Sequence, residues 1–159
     1  MEEIAEAADV SASTLFRHFA SKEALVLTDE YDPLIIDACP IQPSDLGPVE
    51  AIRRAIRGVF EQVSEESMSD IRFRAELAVS VPSLRAAMLD QLAQAIQAVT
   101  IILAERSGRP NGDFAVATLA GAIMGVMLST ELYWVEHPES ELLTLVDDAL
   151  AHLERGLPL

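Results

Sequence analysis

The sequence predicts an all-α protein, on three observations. Apolar residues recur at the helical period along nearly the whole chain. No run of alternating β-branched residues is present. Clusters of Pro, Gly and Ser fall between the periodic stretches, where helices should end. The pattern divides into a short N-terminal helical unit, residues 1–31, and a larger antiparallel helical domain, residues 32–159.

The elements follow in order. EEIAEAA, residues 2–8, predicts a short helix with Ile4, Ala5 and Ala8 on one face. Asp9-Val10 is a turn, and Ser11 is the N-cap of a second helix from Ala12 to Phe19. Ser21 caps a third helix from Lys22 to about Glu30, and Asp32-Pro33 kinks or restarts it. ACPIQPSDLGP, residues 38–48, holds three of the eight prolines and reads as a linker or long connection. Next comes a strongly amphipathic helix, with Val49, Ile52, Ile56, Val59, Phe60 and Val63 on its apolar stripe. Glu50, Arg53, Arg54, Arg57 and Glu61 make its wet face. A helix from Glu66 to Val79 ends before Pro82, which opens another running to Arg106. SGRPNGD breaks the chain at 107–113. Phe114 to Val135 is a long apolar helix, and Ser140 is expected to cap a last helix from Glu141 to Arg155.

Composition excludes several functions. Half of the 159 residues are hydrophobic, which suits a packed core and not a disordered chain. Eleven basic against 26 acidic residues leave −15, so global attraction to nucleic acid or anionic lipid is not the main binding force. Aromatics at 5% disfavour a stacking platform for single strands. The single cysteine, Cys39, excludes a disulfide framework and a multi-cysteine zinc site, and suits a reducing cytoplasm. No basic-then-apolar leader is seen, so a secretory signal is not expected. FAVATLAGAIMGVMLST, residues 114–130, is uncharged, but acidic residues flank it and a buried helix is expected in place of a membrane span.

The N-terminal unit has the grammar of a helix-turn-helix: short helix, tight turn, short helix, then a third. The second helix is short enough to lie end-on in a major groove. Its exposed positions offer hydrogen-bonding or compact groups at Ser11, Ser13, Thr14, Arg17 and His18. Ile4, Ala5, Ala8, Val10, Leu15 and Phe19 would bury its back, and Lys22 stands where helix amides could meet a phosphate. Spacing alone favours the plainer reading, a helical hairpin with no partner. Residues 1–31 carry seven acids against Arg17 and Lys22, so any nucleic-acid contact must be local.

The string EEIAEAADVSASTLFRHFASKEALV closely resembles the helix-turn-helix of TetR-family transcriptional regulators. Ile4, Ala5, Ala8, Val10, Ser11, Thr14, Leu15, Phe16, His18, Phe19, Ser21, Lys22, Glu23 and Leu25 carry the resemblance in one ordered run. It implies an operator-facing set of Ser11, Ala12, Ser13, Thr14, Phe16, Arg17 and His18, with Lys22 on phosphate. Phe16 stands where the family usually has tyrosine, and a phenyl ring cannot donate a hydroxyl to phosphate. The family also places a helix ahead of the first one seen here. Leaving Ile4, Ala8, Leu15 and Phe19 without that cover costs roughly 1.5–3 kcal/mol for each side chain uncovered. Weak operator binding by the chain beginning at Met1 is the expectation.

The stretch from Glu76 through the Trp134 helix looks like the effector domains of actinobacterial members. The resemblance implies a cavity among the middle helices for a small-molecule effector. Phe60, Phe73, Met88, Leu92, Ile96, Met124, Met127 and Trp134 are its candidate lining, although each is ordinary core material too. Ala117, Gly121, Gly125 and Ser129 recur every fourth residue, a row that lets two helix axes approach closely. The neighbour is either a helix of the same chain or a second copy. In the second case Leu142, Val146 and Leu150 of the last helix join the interface. The resemblance implies the dimer.

Other constellations carry little. His137 with Glu136, Glu139 and Glu141 reads as a solvated acidic loop, and no metal or cofactor is expected. No nucleophile elbow, P-loop or dinucleotide fingerprint is present, so catalysis is not expected. The arginines Arg53, Arg54, Arg57, Arg72, Arg74 and Arg85 should mostly be solvated. The sequence thus predicts a cytoplasmic, dimeric, ligand-responsive regulator of the repressor kind, whose partners are double-stranded operator DNA, a small-molecule effector and itself. The alternative is a dimeric helical ligand-binding module without DNA binding.

Overall fold

The structure is a computed structural model that describes residues 1–28 and 30–158. Nine helices are found among them: α1 Glu2–Ala7, α2 Ala12–His18, α3 Lys22–Leu27, α4 Tyr31–Ala38 and α5 Pro48–Phe60, then α6 Glu65–Ser80, α7 Pro82–Ser107, α8 Phe114–Glu136 and α9 Leu142–Glu154. No strand occurs among the described residues.

Most helix ends are written in local chemistry. The hydroxyls of Ser11, Ser21 and Ser64 accept from the amides of Thr14, Ala24 and Ser67 at 3.1, 3.1 and 3.2 Å. The Asp113 carboxylate accepts from the amides of Ala115 and Val116, satisfying two first-turn donors of α8. Pro48 and Pro82 open α5 and α7, where no amide donor is needed. Gly108, at φ 65°, closes α7 in the left-handed conformation that glycine adopts without strain.

Two predicted helix ends differ in the structure. The helix expected to run to about Glu30 ends at Leu27, with Thr28 extended; position 29 lies outside the described residues. A continuous helix would put the Pro33 ring against the preceding turn, and restarting at Tyr31 leaves Pro33 in a first turn that tolerates it. Ser140 does not cap α9. Glu141 is the N-cap, and the Ser140 carbonyl instead accepts from Arg72 and from the Trp134 indole. The 38–48 segment is the long connection that the sequence allowed, and it is tied to the body. Arg106 of α7 donates to the carbonyls of Gln42, Pro43 and Leu46, which an irregular backbone leaves unpaired.

The main core lies where α5, α7, α8 and α9 meet. Ile52, Ile56, Leu103, Ile123, Val146 and Leu150 are buried there, and Cys39 closes one side. A second cluster joins Ile71, Ala75 and Trp134, with half-buried Phe60 packed on both. Charge reinforces the α5–α9 contact. Arg53 pairs with Glu50, with Asp147 at 3.6 Å and with Glu154 at 3.4 Å, and Arg57 meets Asp147 at 2.6 Å. The arginine expected to be solvated at 53 is therefore a clasp between helices. By length and composition α7 and α8 are each apolar enough to cross a membrane. In this fold α8 packs between α7 and α9, with Val116, Ala120, Ile123, Thr130 and Trp134 turned into the protein.

Candidate nucleic-acid interface and regulatory surfaces

The N-terminal helices hang on the body through α3. Helices α1 and α2 pack on each other, while α3 packs on α6 and α7. Asp9 takes φ 53° between α1 and α2, a left-handed turn that Asp tolerates better than most residues.

Within α2 the candidate residues divide. Ser11 is committed to capping: its hydroxyl also meets those of Ser13 at 2.9 Å and Thr14 at 2.7 Å. Ala12 and Thr14 are half-buried, whereas Ser13, Phe16, Arg17 and His18 are exposed. Phe16 is 54% exposed. Lys22, in the first turn of α3, extends its ammonium into solvent 4.0 Å from Glu23. The exposed end of α2 and the start of α3 therefore expose two cations, an imidazole and a hydroxyl within an otherwise acidic segment. The back is less covered than the sequence predicted. Ala5 and Leu15 are buried and Phe19 half-buried, but Ile4 and Val10 are each 41% exposed and Ala8 is exposed too. Helices of six and seven residues cannot cover both sides of one another.

The expected effector lining is also divided. Met88, Leu92 and Ile96 on α7, and Met124 and Met127 on α8, are half-buried. Trp134 is sealed in the core: Arg72 lies over its ring at 4.1 Å and its indole N–H donates to Ser140. Phe60 is tilted against Tyr31 at 5.6 Å between centroids. Phe73 does not belong with them; it is 60% exposed and lines an open groove with Tyr31, Asp70 and Arg74. Its neighbours Ile71 and Ala75 take the inward face of α6, which turns Phe73 out. Sequence reasoning missed Arg72 as an inward residue, because its partners stand more than 60 positions away.

The small-residue row lies on the open side of α8. Ala117, Gly125 and Ser129 are exposed and Gly121 half-buried. A Cβ added at Gly121 or Gly125 would meet nothing within 4 Å, so no neighbouring helix of this chain requires those glycines. Val146 and Leu150 do not face outward with the row. They are 4% and 0% exposed in the main core, and Leu142 is half-buried between the two clusters. Covering α5 and α8 uses the apolar face of α9, and a buried side chain cannot also meet a partner.

Comparison with known proteins agrees with the geometry. Residues 1–28 match the family described as bacterial regulatory proteins, tetR family, and residues 46–158 match the MftR C-terminal domain. The chain is 27% identical over 162 residues to MftR, a Mycobacterium tuberculosis protein named for transcriptional regulation of mycofactocin biosynthesis; the match covers 99% of this chain and 80% of MftR. It is 36% identical over 73 residues to the HTH-type transcriptional regulator TcmR of Streptomyces glaucescens, covering 45% of this chain and 32% of TcmR. The capped reading helix, the helical body and these matches together place the chain in the TetR family of bacterial regulators.

Proposed function

We propose that the protein is a cytoplasmic, dimeric, ligand-responsive transcriptional repressor and not an enzyme. Residues 1–31 form the DNA-binding headpiece, and residues 32–159 bind the effector and dimerise. The exposed end of α2 carries this reading: Ser13, Phe16, Arg17 and His18 stand clear of the body, with Lys22 beside them. An arginine and an imidazole at a helix end reach base edges in a major groove, and Lys22 adds a phosphate contact. Two copies address two half-sites about one DNA turn apart.

The mechanism is linkage. Operator favours one spacing of the two headpieces and effector another, so each ligand lowers the affinity of the other. Because α3 is what joins headpiece to body, a shift of α6 or α7 reorients α2. The half-buried methionines of α7 and α8 suit an adaptable apolar effector site between them.

Exposure of Ile4 and Val10 favours a second reading, a dimeric small-molecule-binding module without DNA binding. Selection of genomic DNA fragments at graded salt separates the two. The chain should enrich an inverted repeat weakly and at low salt only, and Arg17→Ala and His18→Ala should weaken or relax that selection further. No enrichment at low salt, with a thermal shift on adding apolar ligands, establishes the second reading.

A further inference from the structure

We infer that the corner between α8 and α9, residues 137–141, is a control point for the headpiece, joined to it across α6 by Arg72 and Arg74. The coupling is a property of the single chain; its use in regulation rests on the function proposed above.

Helix α6 reaches both places because its two arginines stand two positions apart. At about 100° per residue they lie about 200° apart, on opposite sides of the helix. Arg72 turns to the corner. It donates to the carbonyls of Trp134 at 3.1 Å and Ser140 at 3.3 Å, and its guanidinium lies 4.1 Å from the centre of the Trp134 ring. Trp134 stands in the last turn of α8, where carbonyls lack a partner within the helix. Arg72 thus brings from another helix the cation that a helix C-terminus favours. The Trp134 indole donates to the same Ser140 carbonyl at 3.1 Å, and Ile71 and Ala75 of α6 are buried with its ring. The corner is therefore fixed to α6 by two hydrogen bonds, a ring face and apolar packing.

Arg74 turns the other way. It donates at 3.2 Å to the carbonyl of Thr28, the C-cap residue of α3. One helix thereby closes the C-terminal ends of two others, α8 and α3. A guanidinium spanning two carbonyls holds orientation as well as distance. Because the two grips lie on opposite sides of a rigid helix, a disturbance of the corner that turns α6 about its axis drags the Arg74 grip, and α3 with it. Helix α3 follows directly on α2, so the reading helix inherits the movement.

Hydrogen exchange on the intact chain tests the coupling without DNA. Arg72→Met removes the bonds at the corner and leaves α3 untouched. The amides of residues 22–28 should then exchange about fivefold faster or more, the effect of about one net hydrogen bond lost from a shared unit. Leu150→Ala, in the main core and outside the Trp134 cluster, sets the baseline for plain loss of stability. In the reverse direction, Arg74→Gln should raise acrylamide quenching of Trp134, the only tryptophan, although the change sits on the far side of α6. Faster exchange confined to residues 134–145 makes Arg72 a local pin and overturns the coupling. So does an α3 response no greater than that of Leu150→Ala. If Arg72→Met does not fold, unchanged quenching in Arg74→Gln overturns it alone. Coupled exchange in a chain that enriches no genomic DNA sinks the operator reading and leaves the coupling standing.

Discussion

Leu150→Ala separates the interior of one chain from the contact between two. The Leu150 side chain is fully enclosed among α5, α8 and α9, at 0% exposure. Truncation removes about three carbon groups, or about 2.4 kcal/mol at roughly 0.8 kcal/mol each. The cavity left behind adds to this, and buried Leu→Ala changes fall at about 2–5 kcal/mol. The expected loss is about 3 kcal/mol, a large share of the 5–15 kcal/mol typical of folded domains. At about 2–4 °C per kcal/mol, Tm falls by roughly 6–12 °C. Denaturant titration at fixed protein concentration, with light scattering on the native sample, measures both quantities. The dimer should persist, because the lost methyl groups face inward. A loss below about 1 kcal/mol refutes the packing argument. So does a variant that stays folded but becomes monomeric, which would put Leu150 at the subunit contact.

Three further outcomes are expected. Gly125→Leu should do the converse of Leu150→Ala: the added side chain meets open space in one chain, so helicity by circular dichroism is kept while light scattering shows monomer. The Glu50 carboxyl is held below its usual 4.5, first by the hydrogen bond from Arg54, with burial opposing and the charges of Arg53 and Arg54 assisting. A lowered folded value gives stability that is present above about pH 4.5 and lost as pH falls through that lowered value. Glu50→Gln should therefore flatten the acid limb of a stability–pH curve, and an unchanged slope refutes the pairing of Glu50 with Arg54 and Arg53. Burial pushes the Cys39 thiol up to about 11, with the Arg106 charge opposing it. Iodoacetamide at pH 8 should label it only after unfolding, and labelling of the native chain refutes its burial.

Legibility followed the range of the interaction. Ser11, Ser21 and Asp113 cap helices whose amides lie two or three residues away, so those starts could be read from the string. The α5 stripe was equally plain, since one period places Val49, Ile52 and Ile56 on a single buried face. Ser140 misled because a serine before a helix resembles a cap, while its carbonyl answers to Arg72, 68 positions earlier. Val146 and Leu150 misled for a related reason. An apolar face states that it will be covered and not by what, and α5 of the same chain covers this one. Phe73 shows the same limit from the other side, since helix period cannot tell an outward ring from a pocket wall when both flanks are mixed.

The distribution of charge bears on how an acidic chain can address an acidic polymer. Nearly all the arginines of the body are engaged within it: Arg53 and Arg57 hold α9, Arg72 covers Trp134, and Arg106 ties the 42–46 backbone. Arg17 and Lys22 stand instead in solvent on the N-terminal helices. The chain as a whole carries −15, and DNA repels it strongly within a Debye length of about 10 Å at 0.1 M salt and only weakly beyond. Exposing two cations on short helices, of which α3 packs on α6 and α7, lets their attraction act at close contact. Few phosphate contacts give a shallow salt dependence. Discrimination must then come from the base edges that Ser13, Arg17 and His18 reach, so the Arg17→Ala change should lower specificity more than it lowers the slope of affinity against salt.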